Sequence, residues 1–239
     1  MSSSSKKISV VIPVYNESRT IVAVLDQVKA SIARQKLDAE IIVVNDGSKD
    51  DSAAIIKTIS GIHFVNKEKN GGKGSAVKAG FAAATGDILL IQDADLEYNP
   101  DDYTAVIAPI INGETEVTMG SRFLKEKPVF FGKKKSPYLT HYIGNRMIIW
   151  LTNLLYWNNA TDYEGCYKAF TLRVIRSIPI RSDGFEYDNE LICKILRKGY
   201  KIVEVPIDYN PRSYESGKKI TWRHGVRMLW AIVKYRFIN

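Results

Sequence analysis

Short apolar runs alternate with longer amphipathic stretches along the first half of the chain. The apolar runs are rich in β-branched residues and bounded by turn residues, so they predict buried strands at 8–14, 40–44 and 88–91. The stretches between them predict helices at about 18–35, 50–59 and 74–84. Strands that alternate with helices indicate βαβ units, and therefore an α/β fold with a mostly parallel central sheet flanked by helices.

Acidic and polar residues follow the predicted strands, in the segments 13–17, 45–48 and 93–97. In sheets of this kind ligands bind beyond the carboxyl ends of the strands, so these residues are the first candidates for a functional site. Capping of the following helices is an alternative explanation that suits Ser48 or Asp50 alone. It does not explain three such clusters on one edge, which together indicate a ligand site.

The regular alternation breaks at about residue 130, where a lysine-rich loop, an aromatic-rich helix and a less regular final third follow. No internal repeat is present. We therefore interpret the whole chain, 1–239, as a single domain in which the part after about residue 125 packs on the part before it.

Two stretches of the second half predict amphipathic helices. The first, 142–157, is apolar apart from Gly144 and a narrow polar stripe. The second places these residues on one helical face: Trp222, Val226, Leu229, Trp230, Val233 and Phe237. Arginines and a lysine flank that face. Such a pattern is typical both of a helix that packs on a core and of a helix in a lipid headgroup region, and the pattern alone favours the core.

Composition narrows the class of protein. The chain is 45% hydrophobic and 25% charged, as in a soluble globular domain, and no apolar run reaches the ~18 uncharged residues of a membrane-spanning helix. The serines and lysines at the start do not form a secretory signal. Cys166 and Cys193 lie far apart without metal-ligand spacing, which predicts buried thiols in a reducing compartment.

A formal net charge of +8 suits an anionic partner, although a merely soluble basic surface gives the same number. The candidates are nucleic acid, a phosphorylated substrate and an acidic membrane surface. The basic residues do not lie on a recognisable nucleic-acid recognition element, so we expect no nucleic-acid partner.

The segment Asp93-Ala94-Asp95 carries the clearest chemistry. Its two carboxylates flank a small residue at the end of an apolar strand, where a turn can bring both onto one cation. Carboxylate oxygens suit Mg²⁺ or Mn²⁺, which bind diphosphate oxygens at the same time. Glu97 is a candidate for a third ligand.

The glycine-rich segment 70–75 could present backbone N–H groups to phosphate. It is not a Walker A loop, because Gly74 follows Lys73, and Val77 replaces the third glycine of a dinucleotide fingerprint. Arg122, Arg212 and Lys218 could clamp a leaving diphosphate and an incoming anion.

These motifs resemble family 2 glycosyltransferases, in their order and in their spacing. The likeness rests on Val11–Glu17, Asn45–Ser48, Gly72–Ser75, Asp93–Asp95 and Gly120–Arg122, and it continues through Thr161–Lys168, Glu204–Pro206 and Arg212. The motifs look most like those of the dolichyl- or polyprenyl-phosphate hexosyltransferase branch, which includes the dolichyl-phosphate mannose synthases. This resemblance implies a GT-A, Rossmann-like fold with a nucleotide-sugar-binding half at about 1–125 and an acceptor-side half at about 126–239.

The resemblance also implies roles for individual residues. Nucleotide-sugar binding falls to Pro13, Tyr15, Glu17, Asp46, Lys73, Gly74 and Asp93. The metal ligands are Asp93, Asp95 and Glu97. Catalysis and phosphate charge fall to Asp95, Arg122, Lys168 and Arg212, and the acceptor phosphate to Arg122, His141, Arg212 and Lys218.

Three departures from that branch stand out. Glu97 replaces a glutamine and adds a negative charge at the metal, and Asn45 replaces the first of two aspartates. The branch also has an arginine a few residues before the Gly144-Asn145 pair. That arginine is absent here, where Lys133–Lys135 and His141 lie nearby.

The function expected from these observations is an inverting, metal-dependent transfer of a hexose from a UDP- or GDP-sugar to a polyprenyl phosphate. A phosphate acceptor is already anionic near neutral pH and needs no strong general base. Together with the positive charge, the resemblance favours a cytoplasmic protein that is peripheral on the cytoplasmic face of a membrane. Two alternatives remain open: transfer to a saccharide or protein hydroxyl with Asp162 or Glu164 as the base, and a catalytically silent nucleotide-sugar-binding module.

Overall fold

A seven-stranded sheet lies at the centre of the residues that this computed structural model describes, 6–125, 139–211 and 222–238. The strands are β1 (Ile8–Val14), β2 (Ala39–Asp46), β3 (His63–Lys67), β4 (Ile88–Ile91), β5 (Val117–Ser121), β6 (Lys168–Thr171) and β7 (Ile202–Pro206). Their spatial order is β3-β2-β1-β4-β6-β5-β7. All neighbouring pairs are parallel except the two that involve β6. The predicted mostly parallel α/β sheet is confirmed.

Helices cover the sheet. They are α1 (Ile21–Gln35), α2 (Ser52–Lys57), α3 (Lys73–Ala83), α4 (Tyr103–Ile111), α5 (Leu139–Tyr156), α6 (Leu172–Ser177), α7 (Tyr187–Arg197) and α8 (Trp222–Phe237). The helix predicted at about 18–35 begins three residues later, at Ile21, and the backbone N–H groups of Glu17 and Ser18 before it donate to Ser52 and Asp50. The helix predicted at 50–59 is shorter at both ends and spans Ser52–Lys57, with Asp50 accepting a hydrogen bond from the N–H of Ser52.

The predicted strands are continuous apolar runs in the sequence because both faces of the sheet are buried there. β1 lies between β2 and β4 and is covered on both faces, so Val10, Val11 and Ile12 are all completely buried. α3 packs directly on this strand. A Cβ at Gly80 would lie 2.3 Å from Cγ1 of Val11, so only glycine allows this close approach of helix and strand.

The reversed strand β6 determines where the segment before it lies. β6 runs antiparallel between β4 and β5, with Lys168 opposite Met119 and Ala169 opposite Leu90. Its amino end therefore lies at the edge where the parallel strands have their carboxyl ends. Residues 161–167 reach the same edge as the acidic and polar segments that follow the parallel strands.

A separate small helical core joins α5, α7 and α8. It consists of Ile148, Tyr156, Cys193, Met228, Ala231, Ile232 and Tyr235. The hydroxyl of Tyr156 donates to the carbonyl of Ile232 at 2.8 Å. Both predicted amphipathic helices pack on this core, but α8 does so through Met228, Ala231, Ile232 and Tyr235 and not through its predicted face, where Val226, Trp230 and Phe237 are exposed. Cys166 and Cys193 are buried, unbridged thiols, and their predicted burial is confirmed.

The other faces of α5 and α8 form an exposed apolar strip. The strip consists of Ile143, Met147, Trp150, Leu154, Trp157, Val226, Trp230 and Phe237. Trp150 is 65% exposed, Trp157 85% and Trp230 66%. The polar residue Thr152, also on α5, is instead buried. Within the described ranges, no helix combines the length and hydrophobicity needed to cross a bilayer.

Candidate active site

Side-chain hydrogen bonds tie together the segments that follow β1 and β2. The N–H of Asn16 donates to Oγ of Ser48 at 3.0 Å, and Oδ1 of Asn16 accepts from the N–H of Lys49 at 2.8 Å. Asn16 adopts a left-handed conformation, with φ 53°, which asparagine tolerates well. The half-buried Pro13, Tyr15 and Glu17, predicted to bind the nucleotide-sugar, lie in this joined edge.

Asp50 stabilises the same junction. Burial alone would raise the pKa of its carboxyl, but hydrogen bonds from Ser52 and Ser18 outweigh this effect and lower the pKa to about 2. Asp50 lies one residue before the N-cap residue, Asp51, and its carboxylate joins the first residue of α2 to Ser18. Two other acidic residues at strand ends pair with lysines instead: Asp46 with Lys67 and Asp93 with Lys73.

Asp46 anchors the glycine-rich loop, residues 70–75. It is buried, forms an ion pair with Lys67, and accepts hydrogen bonds from the backbone N–H groups of Gly71 at 3.1 Å and Gly72 at 2.7 Å. Its carboxylate thus fixes the loop that precedes α3. A direct contact between Asp46 and a nucleoside stays a prediction.

The glycines of this loop allow it to pack against the segment that precedes α7. Gly72 has φ 98°, and a Cβ there would lie 2.4 Å from the carbonyl oxygen of Asp183. A Cβ at Gly74 would lie 2.6 Å from Cβ of Tyr187. The N–H of Ser75 donates to Asp183 at 3.1 Å. Packing within the protein therefore accounts for glycine at position 74, predicted to contact the donor.

Lys73 projects from the glycine-rich loop to Asp93. Nζ of Lys73 lies 2.6 Å from Oδ1 of Asp93, and both side chains are largely buried. Burial alone would lower the pKa of Lys73, but the Asp93 carboxylate raises it well above its usual value. Burial alone would raise the pKa of Asp93, and Lys73 instead holds it below its usual value. The ion pair brings two predicted donor-binding residues together.

The acidic turn, residues 93–97, is fixed by its backbone. The hydroxyl of Thr20 donates to the carbonyl of Ala94 at 2.7 Å, and the N–H of Glu97 donates to Oδ1 of Asp95 at 3.2 Å. Leu96 has φ 63°, which turns the chain sharply between the last two acidic residues. Oε2 of Glu97 accepts a hydrogen bond from the hydroxyl of Tyr209 at 3.0 Å.

The carboxylates of this turn are of the chemical type that Mg²⁺ and Mn²⁺ prefer as ligands. In the part of the chain that the structure describes, no three His, Cys, Asp or Glu side chains converge as a metal-binding group. Mg²⁺ in phosphate-handling sites is usually held by one or two carboxylates, substrate oxygens and water. Metal binding by Asp93, Asp95 and Glu97 stays a prediction, and Asp93 is paired with Lys73 in this structure.

Arg122 forms a bidentate ion pair with Asp162. Nε of Arg122 donates at 2.7 Å to Oδ2 of Asp162, and a terminal guanidinium nitrogen donates at 2.9 Å to Oδ1. The exposed fractions of the two side chains are 12% and 0%. Burial alone would lower the pKa of Arg122 and raise that of Asp162, but the pairing reverses both effects. Arg122 therefore stays charged, and Asp162 is a poor general base.

Lys168 and Glu164 belong to a second polar group beside that pair. Nζ of Lys168 donates to the carbonyl of Gly165 at 2.5 Å and to Asp188 at 2.6 Å, and its side chain is almost fully buried. This placement stabilises the loop before β6, and contact of Lys168 with phosphate stays a prediction. Burial, and next the nearby Asp188 carboxylate, raise the pKa of Glu164, which accepts a hydrogen bond from Asn189.

Several site residues escaped sequence reasoning, and several predicted ones are not described. Asp188 and Asn189 lie in the first turn of α7, where acidic and amide residues usually signal only a helix start. Tyr209 follows no recognisable motif. Arg212, Lys218 and Lys133–Lys135 lie outside the described residues, as does the side chain of His141.

Comparison with curated proteins identifies similar sequences. The chain is 28% identical over 233 residues to a low-salt glycan biosynthesis hexosyltransferase of Haloferax volcanii, over 96% of this chain and 55% of that protein. It is 28% identical over 216 residues to a dolichol-phosphate mannosyltransferase of Pyrococcus furiosus, over 89% of this chain and 59% of that protein. Glycosyltransferase AglD of Haloferax volcanii is 26% identical, over 86% of this chain and 33% of that protein. The chain thus spans a third to three fifths of the length of these relatives.

Solved structures show the same fold. Glucosyl-3-phosphoglycerate synthase of Mycobacterium tuberculosis with Mn²⁺, UDP and phosphoglyceric acid superposes with a TM-score of 0.73 at 20% identity, over 98% of this chain and 80% of that one. Its complex with Mg²⁺ and UDP gives 0.71 at 21% identity, over 97% and 79%. These matches confirm the expected GT-A fold. Residues 9–178 match the family description Glycosyl transferase family 2. This match over more than half of the chain establishes that it belongs to glycosyl transferase family 2.

Proposed function

We propose that this enzyme transfers a hexose, with inversion, from a UDP- or GDP-sugar to a polyprenyl phosphate in the presence of Mg²⁺ or Mn²⁺. One observation carries the acceptor half of this proposal. The ring of Tyr142, near the start of α5, packs edge-to-face on Phe123 at 6.2 Å between centroids, directly beside Arg122. The apolar strip on α5 therefore begins next to a fixed cation, an arrangement that suits a phosphate attached to a hydrocarbon chain.

The donor half of the proposal rests on the acidic turn and the glycine-rich loop. Asp93 and Asp95 provide carboxylates for a divalent cation, and Lys73 lies close enough to share its charge between Asp93 and a phosphate oxygen. When bound, the cation would neutralise the departing nucleoside diphosphate. The solved structures of similar fold contain UDP with Mn²⁺ or Mg²⁺, which supports a nucleotide-sugar donor here.

Arg122 has the properties needed to hold an anionic acceptor. Asp162 orients its guanidinium through two hydrogen bonds, and the Asp162 carboxylate keeps it charged although it is buried. A guanidinium held in a low-dielectric environment stabilises phosphate charge more strongly than one in water. Because the acceptor oxygen is already anionic, the reaction needs no proton transfer to the protein.

The apolar strip supports a peripheral position on a membrane surface, which we propose to be the cytoplasmic face. Its tryptophans are exposed to solvent, and Arg146, Arg227 and Arg236 lie on the same two helices. Cationic helices with exposed tryptophan suit the headgroup region of an anionic bilayer. Peripheral binding of this kind would bring the enzyme to a lipid-linked acceptor.

The proposal is tested by incubating the protein with polyprenyl phosphate in vesicles, Mg²⁺ or Mn²⁺, and radiolabelled UDP- or GDP-sugars. We expect an acid-labile glycolipid with one donor, and its loss in Asp95→Asn. Asp87→Asn is the matched control, because Asp87 precedes the same strand at its opposite end and contacts Lys7. Absence of a glycolipid with every donor would exclude the proposed reaction.

Transfer to a saccharide or protein hydroxyl is the second candidate, and Glu164 is the observation that favours it. Burial raises its pKa, as suits a general base, whereas Arg122 lowers the pKa of Asp162 and makes it a weaker base. In this case label would enter water-soluble glycan, and Glu164→Gln would abolish that transfer. Under the phosphate-acceptor reaction, Glu164→Gln should retain the chemical step.

A further inference from the structure

Tyr209 contacts both charged parts of the site. Its hydroxyl donates to Oε2 of Glu97 at 3.0 Å. The guanidinium carbon of Arg122 lies 5.1 Å from the centroid of its ring, within the range of a cation–π interaction. Neither partner is close to Tyr209 in sequence, so the tyrosine links the acidic turn to the Arg122–Asp162 pair.

The backbone holds Tyr209 in this position. Tyr98 and Tyr209 form an isolated antiparallel bridge, and the N–H of Asn210 donates to the carbonyl of Glu97 at 2.8 Å. The rings of Tyr98 and Tyr209 also pack at 5.2 Å between centroids. A side chain fixed by its backbone and by a neighbouring ring loses little additional entropy when it orients a charged group.

We propose that Tyr209 is a positioning residue that orients the Glu97 carboxylate toward the divalent cation and holds Arg122 over its ring, so that cation affinity depends on the Tyr209 hydroxyl. This inference rests on the proposed metal-dependent donor binding and on Glu97 as a ligand of the cation. Hydrogen bonds to a metal-ligating carboxylate fix its orientation, and their loss typically costs about 10- to 100-fold in metal affinity. The ring and the hydroxyl make separate contacts, so their contributions can be separated by substitution.

Tyr209→Phe removes the hydroxyl and keeps the ring over Arg122. We expect the dissociation constant of Mn²⁺, measured by electron paramagnetic resonance of free Mn²⁺ with saturating UDP or GDP, to rise about tenfold. Tyr200→Phe removes a hydroxyl elsewhere in the protein and should leave the constant unchanged. Thermal unfolding of each variant verifies that the fold is retained.

A double-substitution cycle tests whether Tyr209 acts through Glu97. On a Glu97→Ala background, Tyr209→Phe should have no further effect on Mn²⁺ affinity, because the acceptor of the hydrogen bond is already absent. An equal loss on both backgrounds, or no loss on the wild-type background, would overturn the inference alone. If the wild-type protein binds neither nucleotide in a Mn²⁺-dependent way, the proposed function fails, and the inference fails with it.

Discussion

The buried ion pair between Arg122 and Asp162 has the largest expected energetic consequence at the residue scale. Asp162→Asn would leave the guanidinium buried without its counter-charge, and breaking a buried pair in this way costs about 3–5 kcal/mol. We expect a decrease of that size in the free energy of unfolding, measured with urea. Arg173→Gln is the control, because the Arg173–Glu116 pair is exposed and such pairs contribute little to stability.

Glu40 makes stability depend on acid pH. Burial alone would raise its pKa, but hydrogen bonds from Lys7, Ser9 and Thr85 lower it from 4.5 to about 2. A depressed pKa in the folded state stabilises the protein above the unfolded-state value, and this contribution is lost as the pH falls toward 2. We expect Glu40→Gln to lower the free energy of unfolding by about 2–3 kcal/mol at pH 7.

The difference between wild type and Glu40→Gln should shrink steadily when urea unfolding is measured from pH 5 down to pH 2. A difference that stays constant over this range would contradict the assigned hydrogen bonds, because it would show no linkage to protonation of the carboxyl.

The sequence predicted which residues lie at the strand ends, but it did not predict which side chains they contact. Asp93 and Asp95 follow a buried strand, and that position marks them in the sequence. The contacts of Lys73 with Asp93 and of Arg122 with Asp162 join residues 20 and 40 positions apart. Such pairs depend on which loops meet at the sheet edge, information that local patterns do not contain.

At the scale of elements, the glycine-rich loop and α3 depend on close packing against α7. Gly74→Ala would place a methyl group 2.6 Å from Cβ of Tyr187 and 2.7 Å from the carbonyl oxygen of Ser182. Overpacking of this kind costs about 1–3 kcal/mol. We expect a lower melting temperature and weaker nucleotide binding, because the shift displaces Lys73.

Gly225→Ala is the matched control for this prediction. Gly225 lies in α8, where an added Cβ would have no neighbour within 4 Å. Alanine is favoured over glycine in helices by roughly 1 kcal/mol, so this variant should be slightly stabilised. Equal behaviour of the two variants in thermal unfolding would contradict the packing argument.

The strands β3 and β6 were not predicted from the periodicity of apolar residues. β3 was not predicted, because it is a short edge strand whose residues are exposed or only half-buried, and its sequence lacks a sustained apolar run. β6 has only four residues and runs against its neighbours. The rule of inspecting residues after each strand therefore cannot find the loop before β6, although that loop supplies Asp162 and Glu164.

At the scale of the whole molecule, the apolar strip predicts binding to lipid. Replacing Trp150 and Trp230 with serine should abolish co-sedimentation with vesicles that contain anionic lipid, because these side chains supply much of the exposed apolar area. Ile111→Ser is the control, since Ile111 is exposed on α4, outside the strip. Unchanged sedimentation of the double variant would exclude the strip as the membrane contact.

The sequence left open which faces of α5 and α8 are exposed. In the structure, packing against a third helix, α7, determines which faces are buried. α7 supplies Cys193 to the small helical core and thereby selects the faces of α5 and α8 that are buried. Apolar residues cover more of each helix than this small core can bury. A periodic pattern records how many apolar positions a helix has, but not how many of them find a partner.

The ion pair of Lys73 and Asp93 has a practical consequence for handling the enzyme. Lys73 supplies the counter-charge of Asp93 from within the chain, so the carboxylate is balanced without any added ion. Treatment with a chelator should therefore leave the melting temperature of the free protein unchanged. One preparation could then be stripped and reloaded with different divalent ions in turn, which makes their rates directly comparable on the same sample.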